Sequence, residues 1–458
     1  MGLGLHGHGS GLESALYLAG RGAEVTVTDL RDEKALFPSI NELKNYPIRY
    51  VLGKHEIEDF KAADLVVKNP GVRSDSPYLK AARRIETDIS LFLAACPARI
   101  IAVTGSKGKS SVSSALYWVL DEWRKGKIRL GGNITPSPLS FLDELEETDD
   151  VVLELSSWQL GDLGERSLLK PRAAIITPIM RDHMDRYDSM EAYVADKRLI
   201  YRNQDGGDAT IAMDDDRGRG FLRESRGRAL VYSEKPLAVG ISGGWIASPE
   251  GPGLARLWEN HAASNVEAGG IVEVVPGRPV VPGRHQKQNL LAAALALLDL
   301  GLDAPFIRES LGRFPGIEHR LEFFHESGGI RFYNDSTATI PEAAAAAITA
   351  FEEPPILVCG GTDKELDFSP LATAAGNARE IILLAGTGSE KLKRLLDSGG
   401  VKYRGPFDSL EAVLGAVLET AAHGDIVLLS PGCTSFGMFV NEFDRGQKWK
   451  AAVRRFYP

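Results

Sequence analysis

The segment Ile100-Ile-Ala-Val-Thr-Gly-Ser-Lys-Gly-Lys-Ser-Ser111 constrains this chain more than any other. Ile100 to Val103 read as a buried strand, and Thr104 to Lys109 as a glycine-punctuated turn. Ser110 through Trp123 carry Val112, Leu116, Val119 and Leu120 at helical spacing. Strand, glycine loop, Lys-Ser and helix together turn backbone N–H groups onto a phosphate chain. Gly105, Ser106, Lys107 and Gly108 leave room for the anion, and the helix start at Ser110 and Ser111 adds its positive end. Lys109 supplies a point charge and Ser110 a hydroxyl for Mg²⁺. The full Walker spacing asks for glycine where Val103 stands, so the loop is the shorter Gly105-x-x-Gly108-Lys109-Ser110. A glycine turn without nucleotide is the plainer alternative; Lys-Ser at the start of a helix argues against it.

A chain of 458 residues has room for two to four domains at roughly 150 residues each. With 43% hydrophobic and 25% charged residues it reads as an ordinary globular protein. A net charge of −9 gives no electrostatic reason to expect nucleic acid or an anionic membrane as partner. Cys96, Cys359 and Cys433 lie far apart without metal-ligand spacing, which suits a reducing compartment. The sequence carries no membrane-length apolar run and no secretory leader pattern, so a cytoplasmic location is expected.

At the start, Gly2-Leu-Gly4-Leu-His-Gly7 fits G-x-G-x-x-G, and Glu24-Val-Thr-Val-Thr-Asp29 reads as a strand ending in an acid about 20 residues on. The strand that should lead into these glycines is missing. A dinucleotide site, another nucleotide, and a purely structural turn all remain open from this motif. Asp64 to Lys68 reads as a further strand that ends in Asn69-Pro70-Gly71.

Beyond the phosphate loop, Gly131-Gly132-Asn133 reads as a glycine turn. Asp150-Val-Val-Leu-Glu154 reads as a strand with a carboxylate at its end, where a Mg²⁺ ligand is expected; a surface glutamate is the alternative. The strand Arg172 to Thr177 leads to Asp182-His183-Met-Asp185-Arg186, a dense run of ionisable groups that suggests a site. Lys197 lies on a helical pattern and is unremarkable alone. Residues 208–282 read as a β appendage covering the edge of this domain. Gly283 to Asn289 opens an apolar helix, Leu290 to Leu300. Strand patterns at 330–333, 355–358, 380–384 and 425–429, alternating with helical runs, predict a second doubly wound α/β unit. Polar strand ends at Asn334-Asp335-Ser336, Gly360 to Lys364 and Ser430-Pro-Gly432 mark its ligand side.

In order and spacing, Thr104 to Ser111, Gly132-Asn133-Ile, Leu153-Glu-Leu-Ser-Ser-Trp-Gln-Leu160, Asp182-His-Met-Asp-Arg-Tyr187, Lys197, Glu318-His-Arg320, Asn334-Asp-Ser-Thr-Ala-Thr339, Asp367-Phe-Ser369 and Leu429 to Ser435 resemble the Mur ligases. These are the ATP-dependent amino-acid ligases of peptidoglycan precursor synthesis. The resemblance spans essentially the whole chain. It implies an α/β protein of three domains: a Rossmann-like UDP-substrate domain (1–97), a central P-loop ATPase-like domain (98–300) and a Rossmann-like amino-acid domain (301–458).

Further implications follow from the resemblance. Asp29 would lie near uracil and Asn69 near the diphosphate. Lys109 and Ser110 would hold ATP, with Asn289, Arg320 and Asp335 also on the nucleotide. Ser110 and Glu154 would ligate one Mg²⁺ and His183 a second. Lys197 would be carbamylated beside the metal, and Asn133 would help hold the UDP substrate. Thr339, Lys364 and Ser435 would bind the incoming amino acid. The expected reaction is D-glutamate addition to UDP-N-acetylmuramoyl-L-alanine through an acyl phosphate, by a monomer, with Lys109, His183 and Lys197 as catalytic residues.

Departures fall near the amino-acid site. Thr337 and Ile340 stand where the family has Lys and Asn, Gln286 where Asn is common, and Phe443 is shifted by one position. A sister ligase adding another amino acid, L-glutamate included, is the enzymatic alternative. A non-catalytic UDP-sugar-binding protein is the other, and the retained Lys109, Glu154, His183 and Lys197 argue against it.

Overall fold

The computed structural model describes residues 1–5, 8–134, 136–164, 166, 168–258 and 269–458. Gly7, the third glycine of the N-terminal motif, lies outside the described residues. By internal packing the chain forms two units: Met1–Val275 with Gln288–Leu311, and Pro276–Lys287 with Gly312–Pro458.

The first unit begins with two parallel strand pairs, Thr26–Asp29 with Arg49–Leu52 and Val66–Val67 with Ile85–Glu86. Between them runs the chain start, where the Gly2 amide donates to Thr28 O at 2.9 Å and the Asn69 amide to Met1 O at 3.0 Å. Leu12 and Ala15 of the helix Ser10–Gly20 bury against Val25, Val27 and Leu36.

Next comes a nine-stranded sheet. From one edge its strands are Ile271–Val275, Gly253–Arg256, Gly243–Ile246, Arg228–Ser233, Ala209–Met213, Ala173–Ile176, Arg99–Thr104, Asp150–Glu154 and Ile128–Gly132. All pairings are parallel except those made by Gly253–Arg256 with its two neighbours. The expected β appendage is thus a continuation of the central sheet, not a cover on its edge. Its glycines hid this: a Cβ on Gly243 would lie 1.9 Å from Val231 O, so the residue that breaks the apolar pattern is the one that lets the strands approach. Gly131 and Gly132 likewise close the strand Ile128–Gly132, where a turn was expected. The helix Lys109–Arg124 buries Val112, Leu116, Val119 and Leu120, as its spacing predicts. No helix among the described residues is long and apolar enough to cross a membrane.

The second unit is a six-stranded sheet in the order Glu322–Ser327, Ile330–Asn334, Ile426–Leu429, Ile356–Gly360, Glu380–Leu384 and Arg404–Phe407. Only the first pairing is antiparallel. Leu357, Cys359, Ile381, Leu383 and Leu428 enter the core on one face. Their neighbours Ile356, Val358, Ile382, Leu384 and Val427 enter the core on the other. Strict alternation between two buried faces explains why these strands are apolar without interruption.

Candidate functional site

The phosphate loop is held from behind. Gly105 has φ +145°, and a Cβ there would meet Thr177 Oγ1 at 1.9 Å and Thr177 O at 2.7 Å. Gly108 has φ +88° and closes on Asn289, whose Oδ1 would lie 2.4 Å from an added Cβ. Both positions combine a left-handed backbone with contact, which only glycine tolerates. Gly105→Ala is therefore expected to destabilise the protein by about 2–5 kcal/mol, read as a lowered midpoint in thermal denaturation.

Ser106 is an anchor of the loop. Its amide donates to Pro178 O at 3.0 Å, and its hydroxyl donates to Met180 O at 3.1 Å. That hydroxyl also accepts from the Met180 amide at 2.9 Å and lies 2.9 Å from the Tyr193 hydroxyl. Lys109 opens the helix, with Nζ donating back to Ser106 O at 3.3 Å. Ser110 follows half-buried and Ser111 buried. The exposed Lys107 reaches Asp182 Oδ2 at 3.4 Å, linking the loop to the run that carries His183. Burial would raise the Asp182 carboxyl, but His183 and Lys107 outweigh it and hold it below the usual carboxylate range.

Glu154 ends the strand beside the loop and is 1% exposed. Its Oε1 accepts from Asn133 Nδ2 at 2.9 Å, and the Asn133 amide donates to Glu154 O at 2.7 Å. Glu154 Oε2 is buried without a partner. An orphaned carboxylate oxygen at a strand end is costly unless a cation or donor completes it. Among the described residues, no group of three or more His, Cys, Asp or Glu side chains forms a ready metal cage. That donor set fits Mg²⁺, which takes one or two carboxylates and leaves the remaining positions to water and phosphate.

Lys197, on the helix Met190–Arg198, is 1% exposed. Its Nζ donates to Gly105 O at 2.9 Å and to Thr104 Oγ1 at 3.4 Å, directly behind the phosphate loop. Burial, and then the charge of Lys109, lower its pKa to about 7. A lysine this close to neutral carries a nucleophilic free amine at ordinary pH. His183 has φ +56° and lies edge-on to Trp158, with ring centroids 4.9 Å apart. The Arg186 guanidinium covers Trp158 at 3.9 Å. Tyr187 donates to Asp196 Oδ2 at 2.7 Å, next to Lys197.

Trp158, Tyr187 and Tyr193 thus order the His183 and Lys197 region. The sequence carried Trp158 and Tyr187 only as members of motifs, and it assigned none of the three a role.

At the N-terminal turn, Asp29 is 5% exposed, and its Oδ2 accepts from the Leu3 amide at 2.9 Å. Asn69 packs on the same turn, its Cβ 3.0 Å from the position of a Cβ on Gly2.

In the second unit, Asp335 is 5% exposed and accepts from Ser430 Oγ at 2.6 Å and from the Leu321 amide at 3.1 Å. Burial raises its pKa to about 7. Ser435 is buried, Thr339 half-buried, and Arg320 and Lys364 exposed. Arg445, 1% exposed, ties the two polar strand ends together. It donates to Ser336 Oγ at 3.0 Å, Ser336 O at 2.8 Å and Cys433 O at 3.1 Å. Sequence reading passed over it, since an arginine on an amphipathic helix usually faces water.

Curated relatives match along the full length. UDP-N-acetylmuramoylalanine--D-glutamate ligase of Roseiflexus sp. (strain RS-1) is 41% identical, the match covering 100% of this chain and 98% of the relative. The protein of that name from Treponema pallidum (strain Nichols) is 39% identical, covering 99% and 96%. The chain belongs to the Mur ligase family. Family models agree along its length: the MurD-like N-terminal domain at residues 1–90, the Mur ligase middle domain at 103–297 and the Mur ligase glutamate ligase domain at 319–433. Among solved Mur ligases, UDP-N-acetylmuramate-alanine ligase MurC from Thermotoga maritima shares the fold with a TM-score of 0.56 at 20% identity, covering 99% of this chain and 98% of that one. MurF ligase from the same organism, solved with ADP, has a TM-score of 0.53 at 16% identity, covering 96% and 97%.

Proposed function

We propose that this chain is an ATP-dependent ligase that adds D-glutamate to UDP-N-acetylmuramoyl-L-alanine through an acyl phosphate. The observation that carries the reading is the convergence of Lys109, the orphaned Glu154 oxygen and the buried Lys197 amine on one phosphate loop. The substrates come from the names of the full-length relatives.

A carboxylate is a poor electrophile, and phosphorylation gives it a leaving group. Transfer brings two anions together, so the chain's task is positioning and charge neutralisation. Backbone N–H groups of 105–111, apart from the Ser106 amide that Pro178 O occupies, and the Lys109 ammonium hold the ATP phosphates. Mg²⁺ held by Ser110 and Glu154, with a second ion at His183, would supply further positive charge there. Lys197, as a free amine, takes up CO₂ and releases a proton, becoming a carbamate that can support the second ion. Asn133, Asp29 and Asn69 serve the UDP substrate, and Asn289, Arg320 and Asp335 the nucleotide. Thr339, Lys364 and Ser435 receive the amino acid, whose amine displaces phosphate from the acyl phosphate. The chain works as a cytoplasmic monomer with domains 1–97, 98–300 and 301–458.

Thr337 and the exposed Ile340 favour one specific second reading, L-glutamate or another amino acid as acceptor. Phosphate release from ATP with UDP-N-acetylmuramoyl-L-alanine separates the two when D-glutamate, L-glutamate and no amino acid are run in parallel. Release is expected only with D-glutamate. Release only with L-glutamate corrects the stereochemistry, and no release in any tube refutes the ligase reading.

A further inference from the structure

Two turns far apart in sequence meet within the first unit. One is Asn69-Pro70-Gly71-Val72, just after the strand Val66–Val67. The Val72 amide donates to Asn69 O at 2.9 Å, and the Gly71 amide to Asn69 Oδ1 at 3.0 Å. Gly71 thereby fixes the Asn69 side chain. The other turn starts at His183, whose carbonyl accepts from the Arg186 amide at 3.0 Å and the Tyr187 amide at 3.2 Å. It holds His183 in a left-handed backbone, φ +56°.

Arg186 joins the two. Its Nη2 donates to Gly71 O at 2.6 Å, a charge-assisted bond. Its guanidinium lies 3.9 Å from the centroid of Trp158, and that indole meets the His183 ring at 4.9 Å. Gly71 is thus gripped at both ends, the amide by Asn69 and the carbonyl by Arg186. A planar guanidinium can stack on an indole and donate from its edge at once, which an ammonium cannot.

A second tie sets where the Asn69 turn sits. Lys68 Nζ donates to Val72 O at 3.0 Å and pairs with Asp162 Oδ2 at 2.6 Å, the side chains only 4% and 9% exposed. Asp162 and Trp158 share the helix Ser157–Leu163. The Asn69 turn, this helix and the His183 turn therefore form a closed ring of contacts. Ordering one corner lowers the entropy cost of ordering the others.

We propose that Arg186 is a positioning residue that couples the Asn69 turn to His183, so that a UDP ligand on the turn orders the His183 run before phosphoryl transfer. The coupling is reciprocal: whatever holds His183 in place tightens the turn in return. The identity of the ligand rests on the ligase reading, and the contacts themselves do not.

Hydrogen exchange is followed in the full chain, without ATP or amino acid, with and without UDP-N-acetylmuramoyl-L-alanine. In ligand-free protein, Arg186→Ala is expected to speed exchange of peptides covering residues 69–76 and 181–187 by at least about tenfold. The UDP substrate should protect both peptides in the wild type and only 69–76 in the variant. In turnover, the variant's KM for the UDP substrate should rise about tenfold while its KM for ATP stays within about twofold. Arg21→Ala, which removes a bond from Arg21 to Asp143 elsewhere between residues 1–97 and 98–300, should change neither readout. Should the alanine variant fail to fold, Arg186→Lys keeps the charge without the planar fork and should show the same split at about threefold. Unchanged exchange at 181–187 overturns the proposal, as does a lowered melting temperature with both KM values moved together. Neither protection nor phosphate release in the wild type strikes the ligase reading instead, and the ligand-free comparison still decides whether Arg186 couples the two turns.

Discussion

Lys197→Met is expected to lower kcat by about 10³-fold or more while leaving the thermal midpoint unchanged or raised. The wild-type amine is buried and shifted from 10.5 to about 7. Between those values the unfolded chain binds the proton that the folded chain does not, so stability falls as pH drops from about 10.5 to about 7 and is level below. In bicarbonate-free buffer near neutrality that cost is on the order of 3–4 kcal/mol. Methionine removes it and fills similar space. The opposing loss is the hydrogen bond to Gly105 O, worth about 1–3 kcal/mol if the carbonyl stays unpaired. A residue kept at a net cost to the empty protein is kept for what it does. Bicarbonate should not restore the variant, whereas wild-type activity should fall below about pH 7, where protonation of Lys197 competes with CO₂. Near-normal turnover in the variant, or a large drop in its melting temperature, would remove Lys197 from the chemistry.

The phosphate loop and the second unit were legible for opposite reasons. The loop is local: its glycines, Lys109 and Ser110 lie within a few residues of each other, so spacing alone exposes the strand, turn and helix start. The second unit is repetitive. Both faces of its strands are buried, and continuous apolar runs such as Ile381 to Leu384 follow directly.

What escaped depended on distant partners. Residues 243–256 broke the strand pattern with glycine because backbone contact excludes side chains there, so a continuation of the sheet read as an appendage. Arg445 spans 109 positions to reach Ser336, and Trp158 meets His183 from 25 positions away, across the strand Ala173–Ile176. Glu154 carried a signal, a carboxylate at a strand end, but its meaning rests on an unpartnered oxygen that only packing reveals.

That oxygen makes Glu154→Gln the sharpest substitution in the first unit. Glutamine keeps the volume and still presents Oε1 to Asn133 Nδ2, so the bond that ties Glu154 to Asn133 survives. What changes is the second terminal atom, from a lone acceptor to a donor, together with the loss of one negative charge. A purely structural glutamate, buried at 1% exposure with one oxygen unpaired, should be replaced at no cost or with a gain in stability. A Mg²⁺ ligand should instead show its loss in metal dependence. The expected result is an unchanged or higher melting temperature and a kcat lower by about 10²–10³-fold. The Mg²⁺ concentration for half-maximal activity should rise at least about tenfold, with the ATP dependence following it. Asn133→Ala provides the contrast: it leaves the carboxylate charged but frees it to rotate, so it should cost less in kcat and still shift the Mg²⁺ requirement. Full activity of Glu154→Gln with an unaltered Mg²⁺ requirement would return Glu154 to the core of the sheet and leave the phosphate loop without its carboxylate partner.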